Sequence, residues 1–180
     1  SAYFSYLRVI ERGRGPLFTH IFADHPWVRA SSSLRKAAQG KANVGVEIFS
    51  SAEIRKVSET LANMVELDLI DTPRARPTER VIEDRAMIIR ALYPVTNWRG
   101  ELVAILDGGV LLNENFEFVD AIRDLVYGPG SLPKGSIGTV TVLLDDVRIS
   151  TNVPRKPGQR ALGTRVSDEV RSEVLGYGRT

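Results

Sequence analysis

The feature that most constrains this chain is a pair of strongly apolar, β-prone runs separated by only five turn residues. Residues 86–95 (AMIIRALYPV) and 101–106 (ELVAIL) flank Thr96-Asn97-Trp98-Arg99-Gly100. So short a connection leaves no room for a crossover, so the runs must return on each other as an antiparallel hairpin. The pattern recurs at both ends. Residues 3–10 (YFSYLRVI) and 17–22 (LFTHIF) flank Arg12-Gly13-Arg14-Gly15-Pro16, and residues 139–144 and 147–152 flank Asp145-Asp146. Residues 44–49 alternate as a single strand.

Helices are expected between these strands. Residues 29–39 have helical character, with Ser31 to Ser33 near the start and Gly40 as a stop. Ser50-Ser51-Ala52-Glu53 has capping-box spacing, and Ile54, Val57, Leu61, Met64 and Val65 follow at helical intervals. Residues 111–127 carry Leu112, Phe116, Val119, Ile122 and Val126 on one side and end at Gly128-Pro129-Gly130. Ser167 can cap a last short helix over 168–175, closed by Gly176. The apolar run 67–70 is short; residues 71–78 (DTPRARPT), 131–138 and 154–158 read as loops.

The order of elements predicts an α+β chain. Residues 1–110 supply five strands of an antiparallel sheet with helices, residues 111–130 a connecting helix, and residues 131–180 a hairpin and short helix that repeat part of the first plan. The 180 residues are enough for one large domain or two small ones. Their 24 basic and 22 acidic side chains are interspersed, so no basic stripe marks a nucleic-acid partner. There is no cysteine, which removes disulfides and thiol chemistry. No apolar run approaches the roughly 18–20 residues that span a bilayer.

Few catalytic constellations survive inspection. His20 and His25, near Asp24, lack helical metal-ligand spacing and read as structural. Residues 128–136 (GPGSLPKGS) fail the phosphate-loop pattern, since Lys134 precedes Gly135 and no helix opens there. Asp145-Asp146, at a hairpin tip, read as solvated turn formers before an acid–base pair. No catalytic residue, metal ligand or cofactor is therefore expected, and the chain is expected not to be an enzyme. Arg90 interrupts an apolar strand: it either faces solvent on the pleat or faces inward, where it needs a carboxylate from a ligand or a neighbouring Asp. Arg148, Ser150 and Asn152 share one strand face, and Val147, Ile149 and Thr151 the other. Arg74 and Arg76 flank a proline loop. Together these make an Arg- and Thr-rich lining suited to a small anion.

The sequence GTVTVLLDDVRISTNV at 138–153, followed by RALGTRVSDEV at 160–170 and VLGYG, resembles the fused tandem Cache family, as do residues 67–95, 100–120 and the IRDLVYG string. These are PAS-like extracytoplasmic sensors of bacterial histidine kinases and chemoreceptors. The resemblance runs from about Val44 to Gly178. It implies a PAS-like antiparallel sheet placed outside the inner membrane, in the periplasm, between two transmembrane helices that are not in this chain. It further implies a small-molecule ligand, often an organic acid, a homodimer in the full receptor, and a histidine kinase in preference to a chemoreceptor. A ligand-free dimerisation or transmission module is the alternative. The chain departs from the family's pattern by lacking a long N-terminal helix and by stopping before its second module is complete, as expected of a trimmed chain, a partly ordered one or one completed by swapping. Ligand-binding residues expected on these grounds are Arg74, Arg76, Arg90, Tyr93 and Asp107 in the first module and Arg148, Thr151, Asn152, Arg160 and Arg165 in the second. The site itself is expected between Arg74 and Asp107.

Overall fold

The computed structural model describes residues 31–177 in full and residues 6–11 as backbone. The expected strand at 17–22, the two histidines and the first residues of the helix at 29–39 lie outside the described residues. In chain order the elements are β1 (Tyr6–Glu11), α1 (Ser32–Ala38), β2 (Asn43–Phe49), α2 (Ser51–Val57), α3 (Glu59–Met64), β3 (Leu67–Asp68) and β4 (Ile82–Glu83). They continue with β5 (Ala86–Thr96), β6 (Leu102–Leu111), α4 (Phe116–Val126), β7 (Thr141–Leu144), β8 (Val147–Thr151), β9 (Pro154–Lys156), β10 (Gln159–Arg160) and α5 (Asp168–Arg171), which runs into a π-turn over Ser172–Gly176.

The chain forms two compact units that interleave: Ser1–Ile48 with Ile88–Leu111, and Phe49–Met87 with Leu112–Thr180. The sequence reading divided the chain consecutively, near residues 110 and 130.

The first unit is built on a sheet of order β1-β6-β5-β2. β5 and β6 form the expected hairpin, antiparallel from Ile88 opposite Leu111 to Thr96 opposite Leu102, with a register shift between Val95 and Thr96. β1 lies antiparallel to β6, with Tyr6 opposite Gly109 and Glu11 opposite Ala104. Among the described residues the sheet has these four strands; the fifth expected, the run at 17–22, lies outside the described residues. α1 begins where Ser31 accepts a hydrogen bond from the Leu34 backbone N–H (3.1 Å) and ends at Gly40, whose φ of +80° suits a residue without a Cβ. Its Leu34 and Ala37 pack on Leu92 and Ile105, with Ala38 and Leu102 at the margin.

The second unit corrects several expected boundaries. The capping box at Ser50 and Glu53 forms as its spacing predicts, but the helix breaks at Ser58. That residue is extended (φ −162°), and its hydroxyl accepts from the Leu61 N–H to start α3. A Ser that can cap competes with helix continuation. α4 begins at Phe116 rather than at 111, because Leu112 N–H still bonds to Met87 C=O (2.9 Å) and Asn115 caps the Phe118 N–H (3.0 Å). The loop at 154–158 is a small hairpin of β9 and β10. β7 and β8 pair as expected about Asp145-Asp146, and Leu144, Val147 and Ile149 form a core with Leu67, Leu69, Met87 and Val142.

The proline loop after β3 is stitched to the segment after β10. Ile70 N–H bonds to Gly163 C=O (2.9 Å), Arg165 N–H to Thr72 Oγ1 (3.0 Å) and Asp168 N–H to Arg74 C=O (2.8 Å). Gly163 is required at this seam. Its φ is +70°, and a Cβ there would stand 2.2 Å from the Asp68 carbonyl oxygen. Gly158 has a similar φ of +76° with nothing near it. Gly163→Ala is therefore expected to lower stability well beyond the ~1–2 kcal/mol that left-handed backbone costs a residue with a Cβ, whereas Gly158→Ala loses about that amount; urea denaturation of the two variants checks the difference.

Candidate functional site

Among the described residues of the first unit, a polar cluster on the sheet's inner face is centred on Arg90. Alternation places Arg90 on the same face as the buried Ile88 and Leu92, so it faces inward, and its partner is a neighbouring aspartate. Its cross-strand neighbour is Gly109, so no side chain separates it from Asp107, the diagonal residue on the same face of β6. Arg90 Nε and Nη2 donate to the two Asp107 carboxylate oxygens at 2.8 and 2.7 Å. Nη1 donates to Glu47 Oε2 at 2.6 Å and to Ser31 Oγ at 3.3 Å, and Ser31 Oγ donates to the other Glu47 oxygen at 3.0 Å. Burial works against the Arg90 charge, but the hydrogen bonds and charges of Asp107 and Glu47 outweigh it and hold the guanidinium above its ordinary pKa. Arg90 and Asp107, both expected among the ligand-binding residues, thus bind each other. Tyr93, on the opposite face, is exposed.

Arg74 and Arg76 do not join this cluster. They belong to the second unit, where the exposed Arg74 sits at φ +67° and Arg76 Nε donates to Asp168 Oδ1 at 2.9 Å. Arg165 lies beside them, donating to Arg76 C=O and to Asp146 Oδ2, both at 2.6 Å. Asp146 is therefore buried and ion-paired rather than solvated. Asp145, at φ +54°, accepts from Arg85 Nη2 (2.7 Å). Arg85 also grips Glu83 through Nε and Nη2, both at 2.8 Å, and Arg80 adds a third contact at 2.7 Å.

The remaining expected residues divide by what they touch. Arg160 makes a bidentate pair with Asp120 (3.1 and 2.7 Å), donates to Thr151 C=O and stacks over Phe116 at 4.5 Å. The hydrogen bond from Arg160 holds the Asp120 carboxyl below its usual range, against a smaller burial effect. Thr151 shares a hydrogen bond with Thr141 Oγ1 (2.7 Å). Asn152 clamps the strand entry: Oδ1 accepts from Val140 N–H (2.7 Å) and Nδ2 donates to Gly138 C=O (2.8 Å). Arg148 stands apart. Its Nη1 donates to Thr164 Oγ1 (3.0 Å) and Arg165 C=O (3.2 Å). Among the described residues it meets no carboxylate, and burial alone pulls its pKa below the ordinary value.

Sequence reasoning missed Glu47, Ser31, Glu83, Arg85 and Asp120. The signal for Glu47 was available: residues 44–49 alternate, and Glu47 shares a strand face with the buried Phe49. Asp120 and Arg160 are forty residues apart, with no local pattern to link them. Also among the described residues, no group of three or more His, Cys, Asp or Glu side chains could hold a metal ion, and no helix is long and apolar enough to cross a membrane.

Residues 110–180 match the family model described as single Cache domain 3. No curated protein and no solved structure matches the chain. Cache domains are extracellular small-molecule sensor domains of signalling receptors, and the match supports that class for the C-terminal part of this chain. The mixed α/β architecture with antiparallel sheets fits a PAS-like fold.

Two predictions follow from the ion pairs. Arg90→Met leaves Asp107 and Glu47 without their cation and is expected to cost about 3–5 kcal/mol, the usual loss when one partner of a buried pair is removed. Adding Asp107→Leu should recover part of that, and denaturant titration of the single and double variants checks it. For Glu83, burial raises the carboxyl pKa, but the hydrogen bonds from Arg85 and Arg80 more than reverse this and leave it below its ordinary 4.5. A depressed carboxylate contributes stability that is complete above the unfolded value and is lost as pH falls through the folded one. The unfolding midpoint should therefore drop below about pH 4.5 more steeply in the parent than in Glu83→Gln, measured side by side by thermal denaturation.

Proposed function

We propose that this chain is the extracytoplasmic, small-molecule sensing part of a transmembrane signalling receptor, a sensor histidine kinase in preference to a chemoreceptor, and that the chain itself is not an enzyme. The observation that carries this reading is the match of residues 110–180 to a Cache sensor domain. The LLDDVRI form of the motif, with its resemblance to kinase sensors, supports the choice of receptor class. The receptor is a homodimer held in the inner membrane by helices flanking this chain, with the sensor in the periplasm. A ligand would favour one of two arrangements, and the shift in population would be passed across the membrane.

The ligand we infer is a small carboxylate, and Arg148 its anchor. Of the six arginines expected in the site, Arg76, Arg90, Arg160 and Arg165 already face carboxylates of the chain. A guanidinium so engaged has little left for a second anion. Arg148 is half-buried, adjoins the Thr164 hydroxyl, and lies within the matched segment. Burial without a carboxylate is costly for its charge, and an anionic ligand would relieve that cost.

Thermal shift and calorimetry against a panel of small carboxylates, sugars and amines test this. A carboxylate present at about a hundred times its dissociation constant should raise stability by roughly 2.7 kcal/mol, and Arg148→Met should abolish the gain. Stabilisation that survives Arg148→Met would displace the anchor. Failure of the whole panel would favour the ligand-free transmission module.

A further inference from the structure

On β2, β5 and β6 the outer face of the first unit's sheet carries no charge. β2, β5 and β6 together carry three charged side chains, Glu47, Arg90 and Asp107, and all three turn inward into one ion-paired cluster. Alternation then leaves only uncharged residues outside. Val44, Val46 and Ile48 of β2 are 70%, 61% and 50% exposed; Tyr93 of β5 is 62% exposed and its cross-strand partner Leu106 of β6 is 39% exposed. Among the described residues β2 is also an edge of the sheet. It has no lysine or proline, and its one charge, Glu47, is held inward by Arg90, so no outward charge guards its exposed face.

The area agrees with a stable contact. At about 60–120 Å² of apolar surface for a Val, Leu or Ile and about 150–250 Å² for a Tyr, the exposed fractions of these five residues amount to roughly 220–420 Å². A standard interface takes about 800 Å² from each partner, a little over half of it apolar. The patch, with the half-buried Ile89, Ala91 and Val110 among its members, supplies most of that apolar share. An apolar patch of this kind is complementary to itself, since neither copy needs an opposite charge on the other.

We infer that this face binds the same face of a second copy of the chain, sheet on sheet about a two-fold axis, at the roughly 10 Å separation of packed sheets. The inference does not rest on ligand sensing. It also assigns association to the sheet and not to α4, whose exposed apolar residues, Leu125 and Val126, are confined to its last turn.

Sedimentation velocity of the 180-residue chain over a wide range of concentration tests it, with Val46→Asp, Tyr93→Glu and Leu125→Asp in parallel and circular dichroism to check folding. The parent should show a reversible monomer–dimer equilibrium. Val46→Asp places an unpaired carboxylate in the seam from each copy and should raise the dimer dissociation constant by roughly a hundredfold or more. Tyr93→Glu should do the same, and serves if Val46→Asp fails to fold. Leu125→Asp should leave association unchanged. A parent that stays monomeric throughout overturns the inference. So does a dimer indifferent to both sheet variants or lost on Leu125→Asp. A monomer that co-pellets with phospholipid vesicles in a Val46-dependent way would assign the face to a membrane surface instead.

Discussion

The pair formed by Arg90 and Asp107 carries a desolvation cost of several kcal/mol for each ion, offset only when geometry is good and the remaining polar atoms are bonded. The first unit meets both conditions. Gly109 opposite Arg90 clears the path to Asp107. Glu47 and Ser31 occupy the donor that Asp107 leaves free. Because these partners lie on β2, β5, β6 and the cap of α1, the pair fixes their mutual register: a slip of one residue would turn Arg90, Asp107 or Glu47 outward and leave the others buried without a partner. The same requirement puts every charge of these strands on one face, and so determines the character of the other face as well.

The second unit applies the same chemistry to a different end. Its ion pairs join segments far apart in sequence: Arg85 with Asp145, Asp120 with Arg160, Arg76 with Asp168. Each bridges pieces that short-range hydrogen bonding could not hold. The stitched loop 70–78 shows why such bridges matter, for it has two prolines and contributes no strand of its own; backbone bonds to 163–168 and the Arg76 pair hold it.

What could be read from the sequence was whatever is local. The hairpin at 86–106, the capping box at Ser50 and Glu53, the turn at Asp145-Asp146 and the cap at Ser167 each depend on residues within a few positions, and all are present. Helix ends were less legible. Ser58 gives no sequence sign of whether it will continue a helix or start a new one, and the outcome depends on packing around Leu61 and Ala62. Partners were least legible. Arg90 could be narrowed to two orientations, but choosing between them needed Asp107, seventeen residues away across a hairpin. Arg74 and Arg76 precede the strand of Arg90 in the chain yet join Arg165 and Asp168, because the route of a proline loop is decided by distant backbone groups.

The stretch at 138–153 illustrates how a recognisable string and a recognition site can differ. Its Asp145 and Asp146 hold Arg85 and Arg165, its Thr151 and Asn152 bond to residues at the entry of the same hairpin, and Ser150 Oγ donates to Asn115 C=O. Side chains so committed explain why that combination of residues is needed to build the hairpin, and they leave little free for a ligand. Arg148 is the exception within the string. It lies at a depth where its charge is penalised, and among the described residues its side chain donates to a hydroxyl and a carbonyl. Among the described residues of a unit built on carboxylate–arginine pairs this cation stands half-buried without a carboxylate, which is why a carboxylate is the ligand proposed for it.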